Sequence, residues 1–255
     1  MLKKLYFKHT SFLVTVKDEE FFSKKLVSYI NKKNIDAEFI IVDGSKKKQK
    51  KIFDKLNIKK KKYFYLGEDI NYSIYFKKVL FGINQCSNKF IFYCDQDDLI
   101  NFTSIRNHED FLTQNSNYSA VKGVIFNFRY FKNKIDLIGK DYNDYIDFNF
   151  FLMRYFFNPN FKAYYCLHRK KNLKTVFNLV NKHNLKEGRS SNFLTTIITL
   201  SSGRIKFYKD VSILRWSGLK KRDKKKLNDH VVNEVHKTRY LWFKYFFFKK
   251  KHLIA

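Results

Sequence analysis

The 255-residue chain contains one proline (Pro159), eight glycines, three cysteines and two methionines. One proline and few glycines exclude collagen-like, polyproline and flexible-linker architectures. Cys86, Cys94 and Cys166 are odd in number and widely spaced. They match neither a disulfide framework nor a zinc pattern, as expected in a reducing compartment. Acidic residues are also scarce, 23 against 52 Lys and Arg. No uninterrupted apolar run reaches the length of a membrane span, and the basic start, Met1-Leu2-Lys3-Lys4-Leu5, is followed too soon by Lys8, His9, Lys17 and Asp18 for a signal segment. We expect a cytoplasmic chain.

What the chain has is aromatic and aliphatic mass. Phe (29) and Tyr (17) help bring the hydrophobic fraction to 44%, enough for a large core and against intrinsic disorder. The formal charge of +29 has two readings. One is an anionic partner: nucleic acid, a membrane surface or phosphorylated substrates. The other is compositional drift toward Lys, Asn, Ile, Phe and Tyr, which fits lysines spread over most of the chain.

Periodicity predicts the elements. Residues 12–16 and 37–42 read as buried strands flanking a helix over Glu20 to Asn31, a βαβ unit with a parallel sheet. Lys46 to Lys62 reads as a basic helix around Ile52, Phe53 and Leu56. Tyr63 to Leu66 is a third strand, Ser73 to Gln85 a helix, and Phe90 to Cys94 a fourth strand. A helix over Leu99 to Asn115 and one or two strands over Tyr118 to Phe131 follow. Residues 133–147 look loop-like, and Asp147 to Phe157 helical up to Asn158-Pro159. Ala163 to His168 is a further strand, Lys171 to His183 and Phe193 to Ser202 are helices, and Ile205 to Leu214 a last strand pair. The expected fold is α/β, an open, mostly parallel twisted sheet with flanking helices, over residues 1–219. Residues 1–100 and 101–219 form its two halves, and a helical, basic, aromatic tail occupies 220–255.

The fourth strand ends in Asp95-Gln96-Asp97-Asp98, three carboxylates in four residues. They repel one another unless a cation is bound or a proton shared. Hard divalent ions take such oxygens together with substrate phosphates. The competing reading is an acidic turn capping the next helix. The first two strands also end in polar residues, at Lys17-Asp18-Glu19 and Asp43-Gly44-Ser45, on the edge where open α/β sheets bind nucleotides. That shared edge favours the metal–diphosphate reading.

These residues resemble a family. Val14-Thr15-Val16-Lys17-Asp18-Glu19-Glu20 resembles the V-P-V-Y-N-E-E opening of family 2 glycosyltransferases, with Thr15 in place of Pro and Lys17-Asp18 in place of Tyr-Asn. Ile41-Val42-Asp43-Gly44-Ser45 resembles V-D-D-G-S with one Asp missing. Gly82-Ile83 resembles the G-I before the metal strand, and Asp95-Gln96-Asp97-Asp98 matches D-x-D-D in full. In the second half, Asn117 to Gly123, Tyr164 to Arg169 and Gly203 to Phe207 are similar to a small bacterial glycosyltransferase subgroup. The likeness covers roughly residues 10–216.

The resemblance implies a nucleotide-diphospho-sugar transferase (GT-A-like) fold. It implies a metal-dependent, inverting transfer from a nucleoside diphosphate sugar to a glycan or lipid-linked acceptor in surface polysaccharide or lipopolysaccharide assembly. Mn²⁺ or Mg²⁺ would sit on Asp97 and Asp98, with Asp95 near the ribose. Thr15, Val16, Lys17, Glu19, Asp43 and Gln96 would bind the nucleotide-sugar, and Lys78 or Lys77 a phosphate. The base is less plain. Asn192 stands where the subgroup often has Glu, which leaves Glu187 or Asp147 as catalytic candidates, or a catalytically weak relative. His168-Arg169 and Arg215-Trp216 are either contacts to acceptor, donor or phosphate, or ordinary packing. The run Leu241 to Lys251 suits the interface of an anionic membrane at the inner face, or a packed C-terminal helix. Nucleic acid is the lesser alternative partner, since no helix-turn-helix, RRM or zinc-finger signature is present.

Overall fold

A computed structural model describes residues 4–131, 134–141 and 163–216. Asp147 and the tail from residue 217 lie outside the described residues. The elements in chain order are β1 (Leu5–Val16), α1 (Glu20–Asn31), β2 (Ile35–Asp43), α2 (Lys50–Phe53), β3 (Lys60–Tyr65), α3 (Tyr72–Gln85), β4 (Phe90–Asp95), β5 (Asp98–Ile100) and α4 (Phe102–Gln114). They continue as β6 (Tyr118–Phe131), β7 (Lys134–Asp141), β8 (Leu167–Arg169), α5 (Lys170–Lys182), α6 (Gly188–Ser201) and β9 (Arg204–Trp216).

One sheet runs in the order β3-β2-β1-β4-β8-β6-β9-β5, with β7 on β6. Its first half is parallel, β3 on β2, β2 on β1, and β1 on β4. The second half is mixed, with β8 antiparallel to β4 and β6, β9 parallel to β6, and β5 antiparallel to β9.

Burial on both faces explains the near-continuous apolar strands. Alternate residues supply two cores. Phe12, Val14, Phe39, Ile41, Phe90 and Phe92 pack with Leu26 and Ile30 of α1 and Ile105 and Leu112 of α4. Leu13, Ile40, Val42, Ile91 and Tyr93 pack on the other face with Val79 and Ile83 of α3 and Val176 and Phe177 of α5. The chain winds outward from β1 to β3, then crosses back to β4 on the other side of β1. The order therefore reverses between β1 and β4, which opens a crevice at their C-terminal ends.

Several expectations change. The basic segment 46–62 makes only the one-turn α2, and β3 already begins at Lys60. Its few apolar residues bury Phe53 and Leu56, and Lys61 Nζ donates to the carbonyls of Asp54 and Leu56 in place of further helix. Part of the loop-like 133–147 segment is β7, held to β6 by an antiparallel ladder. The helix expected from Leu99 starts at Phe102, because Asp98–Ile100 pairs with β9 and Asn101 caps α4 by accepting from Ser104 N. The last strand pair is one strand, β9, with register shifts along β6. Among the described residues, no helix is long and apolar enough to cross a membrane.

Candidate functional site

A cavity of about 360 Å³ lies at the β1/β4 reversal. Its wall is built from the ends of β1 and β4 (Thr15, Val16, Lys17, Asp95, Gln96, Asp97), from Glu19 and Phe22 at the start of α1, and from Tyr75 and Lys78 of α3.

Gln96 ties the two strand ends together. Its backbone N donates to Thr15 O at 3.0 Å. Its side-chain Oε1 accepts from Lys17 N at 3.0 Å and Ser23 Oγ at 3.2 Å, and Nε2 donates to Lys17 O at 2.8 Å and Glu19 O at 3.3 Å. The loop it holds is bent through Asp18, at φ +54°. Asp18 is pinned in turn: its N donates to Ser45 Oγ at 2.8 Å, and its carbonyl accepts from Gln49 Nε2 at 2.7 Å.

Lys78 reaches the crevice because α3 packs tightly on the sheet. A Cβ at Gly82, one turn on, would stand 2.6 Å from Leu13 Cδ1. The Lys78 ammonium bonds Val16 O at 3.2 Å and pairs with Asp69, both side chains being buried. Gly44 allows this, since a Cβ there would collide with the Asp69 carboxylate. Lys17 Nζ donates to Asp69 O at 2.7 Å, so two cations converge beside one carboxylate. Burial raises the Asp69 pKa and lowers that of Lys78, and in each the partner's attraction offsets only part of it.

Facing them, single oxygens of Asp95, Asp97 and Asp98 lie within 4.8 Å of one another. Thr15 Oγ1 donates to Asp95, and Asp98 Oδ2 accepts from Asp95 N at 2.9 Å. Asp98 Oδ1 is buried without a hydrogen-bond partner. Burial, then the neighbouring carboxylates, pushes the Asp97 pKa up to about 6 and that of Asp98 well above the usual range. Burial also raises Asp95, against the Thr15 hydroxyl and the Arg215 charge. Arg215 stands opposite Asp98 in the β5/β9 ladder, its guanidinium 5.2 Å from the Tyr165 ring centre. Burial works against the Arg215 charge, but Tyr165 and the three Asp residues outweigh it and raise the pKa. Hard oxygen donors, mutual repulsion and an orphaned buried oxygen fit a small divalent cation.

Thr15, Val16, Lys17, Glu19, Lys78, Asp95, Gln96 and Asp97 thus meet at one cavity, with Asp98 directly behind. Asp43 stands apart. It is fully buried and accepts from Ser45 N at 2.8 Å, Gln49 N at 2.9 Å and the Tyr63 hydroxyl, and so braces the turn after β2. Lys77 is on the exposed side of α3. Glu187 precedes α6 and is not among the described residues lining the cavity. His168 is buried and not free for a ligand, donating Nε2–H to Ala163 O at 2.6 Å and accepting from Thr199 at Nδ1.

Phe22, Tyr75 and Asp69 are the site residues that sequence reasoning misses. The Tyr75 hydroxyl meets those of Tyr93 and Tyr164, three aromatic residues that periodicity assigns only to packing. Gly44 after β2 was the one available hint of a close approach.

No protein-family profile matches the sequence, and no curated protein sequence matches it. Solved structures do. The chain is similar to TarS of S. aureus at a TM-score of 0.58 and 15% identity, over 82% of this chain and 37% of that one. It is similar to S. aureus TarS 1–349 in complex with UDP (TM-score 0.59, 15% identity, 82% of this chain and 61% of that one). The same fragment in complex with UDP-GlcNAc gives a TM-score of 0.59 at 13% identity, over 85% and 61%. The chain spans between 37% and 61% of the length of these structures. The likeness is one of fold, and the architecture is GT-A-like.

Proposed function

We propose that the chain is a glycosyltransferase that moves a sugar from a nucleoside diphosphate donor to a hydroxyl of a glycan or lipid-linked acceptor. The observation that carries this is the meeting of the Asp95/Asp97/Asp98 cluster with Lys17 and Lys78 in one cavity at the sheet's reversal point. That edge of an open α/β sheet is where nucleotides bind. A uridine diphosphate sugar is the first donor to test, because similar structures hold UDP and UDP-GlcNAc.

Glycosyl transfer needs the diphosphate leaving group neutralised, the acceptor hydroxyl deprotonated, and both held in line. Asp97 and Asp98 would hold Mn²⁺ or Mg²⁺, which supplies Lewis-acid stabilisation of the departing diphosphate. Lys17 and Lys78 give the phosphates further positive charge, and Gln96 fixes the loop on which the nucleotide rests. Of the base candidates, Glu187 is outside the cavity's described lining and Asp147 is not among the described residues. Asn192 cannot take a proton usefully. Asn192, standing where an acidic residue is expected, supports a second reading, a nucleotide-sugar-binding relative with little turnover.

Two measurements separate the readings. A thermal-shift screen of nucleotide-sugars with and without Mn²⁺ should raise the melting temperature by mass action. Asp97→Ala and Asp98→Ala should abolish sugar transfer while leaving the fold intact. Unchanged turnover in both variants would refute the transferase mechanism. Binding without transfer in the native chain would leave the second reading.

A further inference from the structure

We propose that the loops following β2 and β3 form a docking surface for an anionic lipid bilayer beside the mouth of the cavity. Among the described residues seven large hydrophobic side chains are exposed, and four fall within Tyr65 to Tyr72. Ile70 is 71% exposed, Tyr72 50%, Leu66 39% and Tyr65 37%. The other three, Tyr6, Phe21 and Leu214, are scattered in sequence, as single surface apolar residues usually are.

The neighbouring loop contributes Lys46, Lys47 and Lys48, all exposed. The two loops are knitted together. Leu66 N donates to Asp43 O at 3.1 Å and Asp69 N to Gly44 O at 2.8 Å, while Lys48 Nζ lies 5.8 Å from the Tyr65 ring centre. The two loops carry Lys46, Lys47 and Lys48 against Glu68 and Asp69, and Asp69 is committed to Lys78.

Apolar and aromatic side chains flanked by lysines match an anionic bilayer interface, with the rings at headgroup depth and the ammonium groups on lipid phosphates. A second copy of the chain is a poor occupant, because it would set these lysines against their own kind. The surface adjoins the cavity: Lys17 Nζ bonds Asp69 O, and Tyr72 begins the helix that brings Tyr75 and Lys78 to the wall. The proposal does not depend on which reaction the cavity performs. It also concerns a different part of the chain from the aromatic tail.

The test uses the full chain and vesicles of 70% phosphatidylcholine and 30% phosphatidylglycerol. All three native cysteines are buried, so an environment-sensitive fluorophore can be placed on Ile70→Cys. Its emission should shift to the blue with these vesicles and stay put with pure phosphatidylcholine at physiological salt. A label on Lys171→Cys should not respond, since α5 starts at the opposite edge, where Lys170 N bonds Lys89 O. Leu66→Glu/Ile70→Glu should weaken partitioning about tenfold or more. Lys47→Glu/Lys48→Glu should weaken it by about 25-fold or more, at about fivefold for each lysine lost near an anionic surface. Sedimentation with vesicles but no response at position 70 would overturn the proposal by placing contact elsewhere. So would an equal response to polyglutamate, which would make the partner an acidic polypeptide. A concentration-dependent dimer that Leu66→Glu/Ile70→Glu abolishes, without vesicle binding in the parent chain, would overturn it in favour of a self-interface.

Discussion

His168 lies where β4, β8 and α6 meet, and its burial decides its protonation. Burial pulls its pKa down to about 4, against hydrogen bonds to the carbonyls of Ala163 and Tyr164. The folded value is below the unfolded one of about 6.5, so the neutral ring's contribution is fully present above pH 6.5. It is lost as pH falls from there toward 4, by at most about 3 kcal/mol. We expect the urea midpoint to fall over this window and the fall to shrink in His168→Asn, even if that variant is less stable throughout. Asp97 has the opposite sign. Its folded value of about 6 is above that of a free carboxyl, so ionising it costs stability as pH rises from 4 to 6. In metal-free protein, Asp97→Asn should therefore gain stability relative to the parent between pH 5 and 7, measured by thermal melts at both pH values. Gly44 is a third case. Gly44→Ala drives a methyl into the Asp69 carboxylate and should cost about 1–3 kcal/mol in urea unfolding while loosening the Lys78 pair.

Within single elements, the loop from Lys17 to Glu19 has little regular hydrogen bonding of its own and depends on Gln96. Gln96→Glu keeps the shape but sets a carboxylate against the carbonyls of Lys17 and Glu19 in place of a donor. Nucleotide affinity by titration calorimetry should fall about tenfold or more, at the roughly 1–3 kcal/mol of a buried donor or acceptor left unmatched. α3 acts as a strut. Gly82 brings it onto Leu13, which lets Lys78 cross to Val16 O and Asp69. Lys78→Met strands the buried Asp69 charge and should cost about 3–5 kcal/mol, and adding Asp69→Leu should restore much of it. If the double variant is no more stable than the single one, the pair is not what holds this corner.

At the scale of the whole molecule, β1, β2 and β4 with α1 and α3 were readable because parallel strands buried on both faces are apolar throughout and these helices keep a 3.6-residue period, whereas the lysine-rich α2 and β3 lack both signals. Glu20–Asn31 matches expectation at both ends for that reason. The second half was harder to read. β7 is polar and joins the sheet through backbone bonds to β6, β5 is three residues long, and β9 pairs parallel with β6 at one side and antiparallel with β5 at the other. The partner each strand takes is not written in the period of its own residues. Of the lysines behind the +29 charge, Lys17 and Lys78 face the cavity, while Lys46, Lys47 and Lys48 are exposed, with Lys48 beside Tyr65.

The sequence by itself determined where β1, β2 and β4 end, and with them the residues at the C-terminal edge: Thr15 to Glu19 at the end of β1 and Asp95 to Asp98 at the end of β4. These are local facts, since an apolar run that breaks into polar residues announces its own end. Only the tertiary structure decided that Asp43 braces a turn, that Asp69 lies against Gly44 to hold Lys78, that Tyr75 and Phe22 line the cavity, and that Arg215 stands opposite Asp98. Each of these joins residues distant in the chain through strand order and close packing, which no local period encodes.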